Sequence, residues 1–373
     1  MSAQRVAFLL PHMRPGGAER AVLNWCKALD RSRFAPMLML KRVEGAFLEE
    51  VPDDVPVIDL GGARAARLPS RIRTMLRGHG VEIAYSATSA MNLALCAAAR
   101  GTRTKIVISE HTSPRAYLAQ AKWPFLRRAA MRRLLPRADA LFVPTEAIGA
   151  ELSHVVPKLP PTTVIANPVV DRIDFRRPRE RTADAPLRLV SAGRLVPAKA
   201  FDILIDACAL LRDRGLAFSL IIHGEGPEEA SLRARIASLG LSHQVRLAGH
   251  AADLSQRLAE ADLFVLASRR EGFGNVLVEA MAAGKPVVAS DIEGFQGIVT
   301  HGQQGLLFPR KDSEALAGCL LQLIENPELA QRLGGNGRQT VEQYRWSVVA
   351  SQVEAYYEDC LRASNGFAGQ REI

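Results

Sequence analysis

Long apolar runs are missing from this chain. No stretch reaches the roughly 18 residues a membrane span needs. Cysteine is sparse: Cys26, Cys96, Cys208, Cys319 and Cys360 are odd in number and far apart, with no C-x-x-C pair. That argues against a disulfide framework or zinc ribbon and for a reducing compartment. The eight histidines form no H-E-x-x-H or H-x-H pattern, so no metal site is expected. Aromatic residues are only 6% and no nucleic-acid-binding module is recognisable, which argues against a nucleic-acid partner. The first apolar run, Val6 to Leu10, is shorter than the roughly 7–15 residues of a signal-peptide core and reads as a first strand. A cytoplasmic location follows as an expectation.

What is present is an ordinary globular composition, 48% hydrophobic over 373 residues, which suggests about two domains. Charge is uneven. Residues 1–170 carry a net +11 and residues 171–373 a net −2. The first half therefore needs an anionic neighbour or tolerates a basic face; on charge alone nucleic acid, an acidic membrane surface and a phosphorylated substrate all fit.

Short apolar runs alternate with helical stretches in both halves. The strand candidates are 5–10, 36–40, 56–60, 81–86, 105–109, 139–143 and 162–165, then 187–191, 218–223, 245–248, 262–267, 286–290 and 305–308. Helical patterns separate them, such as 17–29, 145–152, 200–214, 227–239, 253–259 and 275–283. This alternation predicts crossover units and parallel sheets. The strands show little polar alternation, as expected when both faces are covered. The pattern breaks over 166–187, at Asn167-Pro168, Pro178 and a run of charges. We place a domain boundary there: 1–168, then 169–345, with residues 346–373 as a helix crossing back to the first domain. The last ten residues read as frayed. The expected fold is α/β, two Rossmann-like doubly wound domains facing a central cleft, with ligands outside the strand carboxyl ends.

Three motifs fall at such ends. Pro15-Gly16-Gly17-Ala18-Glu19-Arg20 follows the first strand and opens a helix, where glycines admit a ligand and helix amides attract an anion. Glu19 reads as dipole stabilisation in a first turn. Gly193-Arg194-Leu195-Val196-Pro197-Ala198-Lys199 places two cations around a turn, suited to a diphosphate whose charge grows as it leaves. The third is the most specific: Ser268-Arg269-Arg270-Glu271-Gly272-Phe273-Gly274-Asn275-Val276-Leu277-Val278-Glu279, with a helix from about Asn275 to a cap at Gly284. Two carboxylates there can grip two polyols, and free amides at 273–276 can hold phosphate or sugar oxygens.

Together with Glu110-His111, Asn167-Pro168 and Gly224-Glu225-Gly226-Pro227, these motifs resemble the family 4 retaining glycosyltransferases of the GT-B fold. The resemblance runs over about residues 5–345. The two dipeptide pairs look closest to members that build lipopolysaccharide, capsule and lipid-linked oligosaccharides. The resemblance implies that Glu279 binds the nucleotide ribose. It implies that Glu271, Gly272, Phe273, Gly274, Asn275 and Val276 hold the donor sugar, and that Arg194 and Lys199 neutralise the diphosphate. Gly16 and Gly17 would let an acceptor-side loop close over the donor, and His111 would contact the donor sugar. Gly249 and His250 match a segment near the nucleotide base. Two departures stand out: Ala200 replaces the family's glycine after the lysine, which would narrow the helix start, and Pro168 follows Asn167. The chain contains no D-x-D, so a metal-independent reaction without a cofactor is expected, a nucleotide diphosphate sugar being the co-substrate.

Residues 122–137 carry six cations and no acid: Lys122, Arg127, Arg128, Arg132, Arg133 and Arg137. Trp123, Phe125, Leu126, Met131 and Leu134 lie among them. Arg64, Arg67, Arg71, Arg73 and Arg77 form a second basic tract. A basic helix with interleaved apolar residues reads as a membrane-surface element, so a lipid-linked glycan acceptor and an anionic membrane partner are expected. Two alternatives stay open: a UDP-sugar 2-epimerase of the same fold and a non-catalytic nucleotide-sugar-binding protein.

Overall fold

The computed structural model describes residues 3–62, 64–171, 185–251 and 253–368. Residues 172–184, which include Pro178 and most of the charged run at the expected boundary, lie outside the described residues. So do the last five residues. The chain divides into two compact units: Met1–Val169 with Trp346–Ile373, and Val170–Arg345.

In the first unit the described strands are β1 (Gln4–Leu10), β2 (Phe34–Leu40), β3 (Val57–Asp59), β4 (Ile83–Ser86), β5 (Lys105–Ser109), β6 (Ala140–Val143) and β7 (Thr162–Val164). All pair in parallel, in the order β3-β2-β1-β4-β5-β6-β7. The connecting helices are α1 (Gly17–Ala28), α2 (Leu68–Gly78), α3 (Ser89–Ala98), α4 (Pro114–Ala119), α5 (Pro124–Leu134) and α6 (Glu146–Val155). In the second unit β8 (Leu187–Ala192), β9 (Phe218–His223), β10 (Val245–Leu247), β11 (Leu263–Leu266), β12 (Val287–Asp291) and β13 (Gly305–Pro309) form a parallel sheet in the order β10-β9-β8-β11-β12-β13. Its helices are α7 (Phe201–Asp213), α8 (Glu229–Ser238), α9 (Leu254–Glu260), α10 (Asn275–Ala282), α11 (Ser313–Glu325) and α12 (Pro327–Thr340). The last helix, α13 (Trp346–Ala368), belongs to the first unit.

The strand period of two explains why these segments are apolar throughout. Along β1, Val6, Phe8 and Leu10 pack on the side of α1 and α13, while Ala7 and Leu9 pack on the side of α2 and α3. The central strands of each sheet are thus buried on both faces, while the edge strands β3 and β7 of the first are largely exposed. In each unit the strand order reverses beside the first strand: β1 lies between β2 and β4, and β8 between β9 and β11. Crevices outside strand carboxyl ends at such reversals are where open α/β sheets bind ligands.

Helix α13 is tied into the first unit by charge and by packing. Arg33 Nη1 donates to Glu354 at 2.9 Å, its Nη2 also pairs with Glu358, and the Asp30 amide donates to Glu354 at 2.8 Å. Val349, Val353 and Tyr357 are fully buried in the same core as Val6 and Phe8. Among the described residues no helix is long and apolar enough to cross a membrane.

Ala200, where the related motif has glycine, takes a left-handed backbone that favours glycine. It sits at φ 52°, ψ 42°, fully buried, and α7 starts at the next residue. A Cβ in the left-handed region is strained by roughly 1–2 kcal/mol. Ala200→Gly should stabilise the second unit by about 1 kcal/mol, allowing for the greater freedom of glycine in the unfolded chain. A urea midpoint below that of wild type would contradict this.

Candidate active site

In the second unit, the turn after β8 and the loop after β11 meet. Lys199 Nζ donates to Glu271 Oε1, and Ser268 Oγ donates to the same oxygen at 2.7 Å. The two charged side chains are 18% and 13% exposed, so the pair is largely shielded from water. Glu271 receives its hydrogen bonds on Oε1, which leaves Oε2 for a ligand hydroxyl. Lys199 has three donors and uses one of them on Glu271. Arg194 is exposed and forms no ion pair among the described residues.

Other residues hold this geometry in place. The Arg269 amide donates to the Ala198 carbonyl at 2.8 Å, its Nη1 to the Pro197 carbonyl at 2.6 Å, and its Nη2 to Asp202 at 2.5 Å. Arg269 thereby staples the two loops together. Ser290 Oγ donates to the Ser268 carbonyl at 2.5 Å. A Cβ added at Gly294 would lie 2.2 Å from the Glu271 carbonyl oxygen, so only glycine admits this approach. Arg269 stands inside the quoted motif, but nothing local marks it as a staple, and Gly294 carries no sequence signal at all. Gly274 takes φ 82° at the start of α10, where a Cβ would meet the Phe295 ring at 2.6 Å. Phe273 is buried edge-on against Tyr344, with ring centroids 5.4 Å apart. Gly272, Asn275, Val276 and Glu279 follow around the start of α10, Glu279 being half-buried one turn inside it. The turns after β9 and β10 are joined by the Gly224 amide donating to the Gly249 carbonyl at 2.7 Å, and His250 is exposed beside them.

Gly16, Gly17 and His111 belong to the first unit. Gly16 is extended, at φ −169°, and precedes α1; a Cβ there would meet Glu19 Oε2 at 2.3 Å. Glu19, 9% exposed, folds back over the first turn of its helix, in keeping with a dipole role. His111 follows β5. Its Nε2 lies 2.9 Å from Ser109 Oγ and 3.5 Å from the Tyr85 hydroxyl, and Trp25 packs at 6.5 Å between centroids. Burial pushes its pKa down to about 4, against an opposing contribution from Asn167, so the ring is neutral near pH 7. It can offer a hydrogen bond but holds no proton to give as a general acid.

Its neighbour Glu110 is 1% exposed. Ser89 Oγ donates to it at 2.6 Å and the Thr112 amide at 3.4 Å. Burial nevertheless pushes its pKa up to about 7, and Oε2 has no hydrogen-bond partner among the described residues. The Glu110-His111 pair stands out in the sequence by resemblance, but nothing local marks Glu110 as a buried acid.

The structure also sorts the basic tracts. Arg127 Nη1 donates to the Tyr117 carbonyl at 2.5 Å and its guanidinium lies over the Tyr117 ring, while Arg132 Nε donates to the Val155 carbonyl at 2.9 Å. Arg73 and Arg77 likewise bond the carbonyls of Ala98 and Gly101. These four cations also hold helix ends and loops: Arg73 and Arg127 are half-buried, while Arg77 and Arg132 stay exposed. Lys122, Arg128 and Arg133 remain exposed, next to Trp123, Phe125 and Leu126, which are 55%, 63% and 56% exposed. Among the described residues no group of His, Cys, Asp or Glu has the proximity of a metal site.

Residues 15–172 match the family model "Glycosyltransferase Family 4" and residues 173–340 match "Glycosyl transferases group 1". The chain belongs to the family 4 glycosyltransferases. One relative is D-inositol 3-phosphate glycosyltransferase of Jonesia denitrificans, 32% identical over 278 residues, 68% of this chain and 66% of the relative. Another is the lipopolysaccharide core biosynthesis glycosyltransferase LpsE of Rhizobium meliloti, 37% identical over 46% of this chain and 48% of that protein. The chain thus spans about two thirds of the first and about half of the second. Among solved structures, the Anabaena protein Alr3699/HepE in complex with UDP superposes with a TM-score of 0.81 over 95% of this chain and 100% of that one. At 23% identity this likeness concerns the fold, which is the GT-B fold expected from the motifs.

Proposed function

We propose that the protein moves a hexosyl or N-acetylhexosaminyl group from a nucleotide diphosphate sugar to a hydroxyl of a glycan acceptor, with retention of the anomeric configuration. The carrying observation is the shielded Lys199–Glu271 pair at the reversal point of the second sheet, with Arg194 on the same turn. In this reading the β-phosphate gathers charge as the bond to the sugar breaks. The two unused donors of Lys199 and the guanidinium of Arg194 stabilise that charge more in the transition state than in the ground state. Glu271 Oε2 orients a sugar hydroxyl, and Glu279 binds the ribose. The amides of Gly272 to Val276 at the start of α10 add positive ends of peptide dipoles. Attack proceeds on the face the diphosphate leaves, the departing phosphate taking the acceptor proton. Arg194 and Lys199 neutralise the leaving group, so turnover should survive EDTA.

A UDP-sugar is the preferred donor and a GDP-sugar the second. HepE is described in complex with UDP, which supports the order without deciding it for this chain. A thermal-shift panel of nucleotide sugars tests it. A donor at a hundred times its Kd should stabilise the fold by about 2.7 kcal/mol, and Glu279→Ala should remove most of that gain. Equal stabilisation of both proteins would refute the site assignment. Incubation with UDP-N-acetylglucosamine alone separates transfer from epimerisation, since only a 2-epimerase would then yield a new sugar nucleotide.

The acceptor is read as lipid-linked, in cell-surface polysaccharide synthesis, with the enzyme peripheral on the inner face of the cytoplasmic membrane. The relative LpsE carries a name of that kind, and the exposed Trp123, Phe125 and Leu126 beside Lys122, Arg128 and Arg133 suit an anionic lipid surface. Binding to phosphatidylglycerol-containing vesicles should exceed binding to pure phosphatidylcholine by about fivefold or more, and Trp123→Ala should weaken it. Indifference to lipid charge would count against this placement.

A further inference from the structure

The second unit contains a cavity of about 660 Å³ that shares only His250, of the segment matched to the nucleotide base, with the donor-site residues named above. Its wall includes Arg188, Val190, Ile221 and His223, strand positions that alternate with Leu189, Leu220 and Ile222 in the core against α7 and α8. It therefore opens on the other face of β8 and β9, with α9 beside it. None of Arg194, Lys199, Glu271 or Glu279 lines it.

The lining is rich in cations, and part of it is poorly satisfied. Arg188, Arg246 and Arg257 line it together with Asp253 and Glu260. Arg257 pairs with Asp253 at 3.1 Å, and Arg188 Nη2 lies 3.7 Å from Asp262 without a hydrogen bond of its own. Arg246 has no ion pair among the described residues. His223 is 7% exposed, and its buried Nε2 has no hydrogen-bond partner among them. Leaving a buried polar atom unpaired is unfavourable. Burial first, then Arg257 and Arg246, lower the His223 pKa, with Asp253 opposing. An anion seated among these groups would satisfy the imidazole and relieve the repulsion.

We propose that this cavity is a second ligand site, taking a small phosphomonoester whose phosphate sits among Arg246, Arg257 and His223 Nε2. The carbon body lies along Val190 and Ile221. The size sets the class: the volume falls within the roughly 300–1,000 Å³ of small-molecule pockets, and a bare phosphate would leave most of it unfilled. A dianion can engage two guanidinium groups, whereas a carboxylate brings only one charge.

The test is calorimetric titration of the full chain with ribose 5-phosphate, using inorganic phosphate as the size control. Imidazole NMR follows His223, assigned through His223→Gln. Ribose 5-phosphate should bind more tightly than phosphate and raise the His223 pKa. Arg246→Ala combined with Arg257→Ala should weaken binding by about tenfold or more, and Lys199→Ala should leave it unchanged. An affinity no better than that of inorganic phosphate would overturn the ligand class. Absent binding, an unmoved His223 titration, or binding lost in Lys199→Ala but kept in the arginine variant would overturn the site. None of these results bears on the glycosyl-transfer reading, which is judged with nucleotide sugars alone.

Discussion

Lys199→Ala should lower kcat by about 10²–10³-fold while raising the donor KM far less. The asymmetry follows from when the charge appears. A nucleotide diphosphate is anionic on binding, but its β-phosphate gains further charge only as the glycosidic bond opens. An ammonium held in a largely shielded pair with Glu271 is already oriented at that moment. Arg194 remains in the variant and continues to attract the ground-state diphosphate, so binding is the less affected quantity. Removing Lys199 also leaves Glu271 with Ser268 as its hydrogen-bond donor, so part of the effect comes from a less firmly placed carboxylate. Ser268→Ala separates the two contributions, since it loosens Glu271 and keeps the cation. A Lys199→Ala enzyme with unchanged kcat and a raised KM would mean that the lysine binds donor and transition state equally, and the assigned role would be wrong.

Glu110→Gln should change the pH dependence of stability by about 3 kcal/mol between pH 5 and pH 8. Below the ordinary carboxyl range Glu110 is protonated in both folded and unfolded chains and has no effect. As pH rises, the unfolded chain releases this proton first. The folded chain keeps it until about pH 7, so stability falls across that interval. Beside it, His111 works in the opposite sense. Its folded value of about 4 lies below the free imidazole value, so stability rises as the unfolded chain loses its proton up to about pH 6.5. The two neighbours should largely cancel in the wild-type protein. Glutamine can still accept from Ser89 and Thr112 but does not ionise, so the variant should show the rising His111 limb alone. Urea midpoints at pH 5, 6, 7 and 8 measure the difference. Parallel profiles for the two proteins would show that Glu110 is not the buried acid described here.

The central strands are legible in the sequence because burial on both faces turns each into an unbroken apolar run of three to five residues. Val6 to Leu10, Ile106 to Ile108 and Leu263 to Leu266 stand out on that ground. Both ends of α10 are legible too, since Gly274 before its start and Gly284 after its end take left-handed backbone, and glycine there is a local signal. What is not legible is anything set by distance in the chain. Lys199 and Glu271 are 72 residues apart, and their contact depends on β8 and β11 being neighbours in the sheet. Arg269 reads as half of an Arg-Arg dipeptide until the Pro197 carbonyl is placed before it. The basic tract at 122–137 shows the converse: composition counts six cations alike, whereas Arg127 and Arg132 satisfy carbonyls and Arg128 and Arg133 do not. Composition also misses that Trp123, Phe125 and Leu126 gather at one end of α5.

Because α13 completes the first unit, that unit is discontinuous along the chain, and the order of synthesis matters. When a ribosome has emitted residues 1–169, the flank that will receive Val349, Val353 and Tyr357 is still uncovered. The second unit is made whole in one stretch, 170–345, before the missing helix emerges. The earliest-made part of the protein is therefore the last to be finished, and a nascent chain must keep an apolar flank from aggregating for the time needed to translate about half its length.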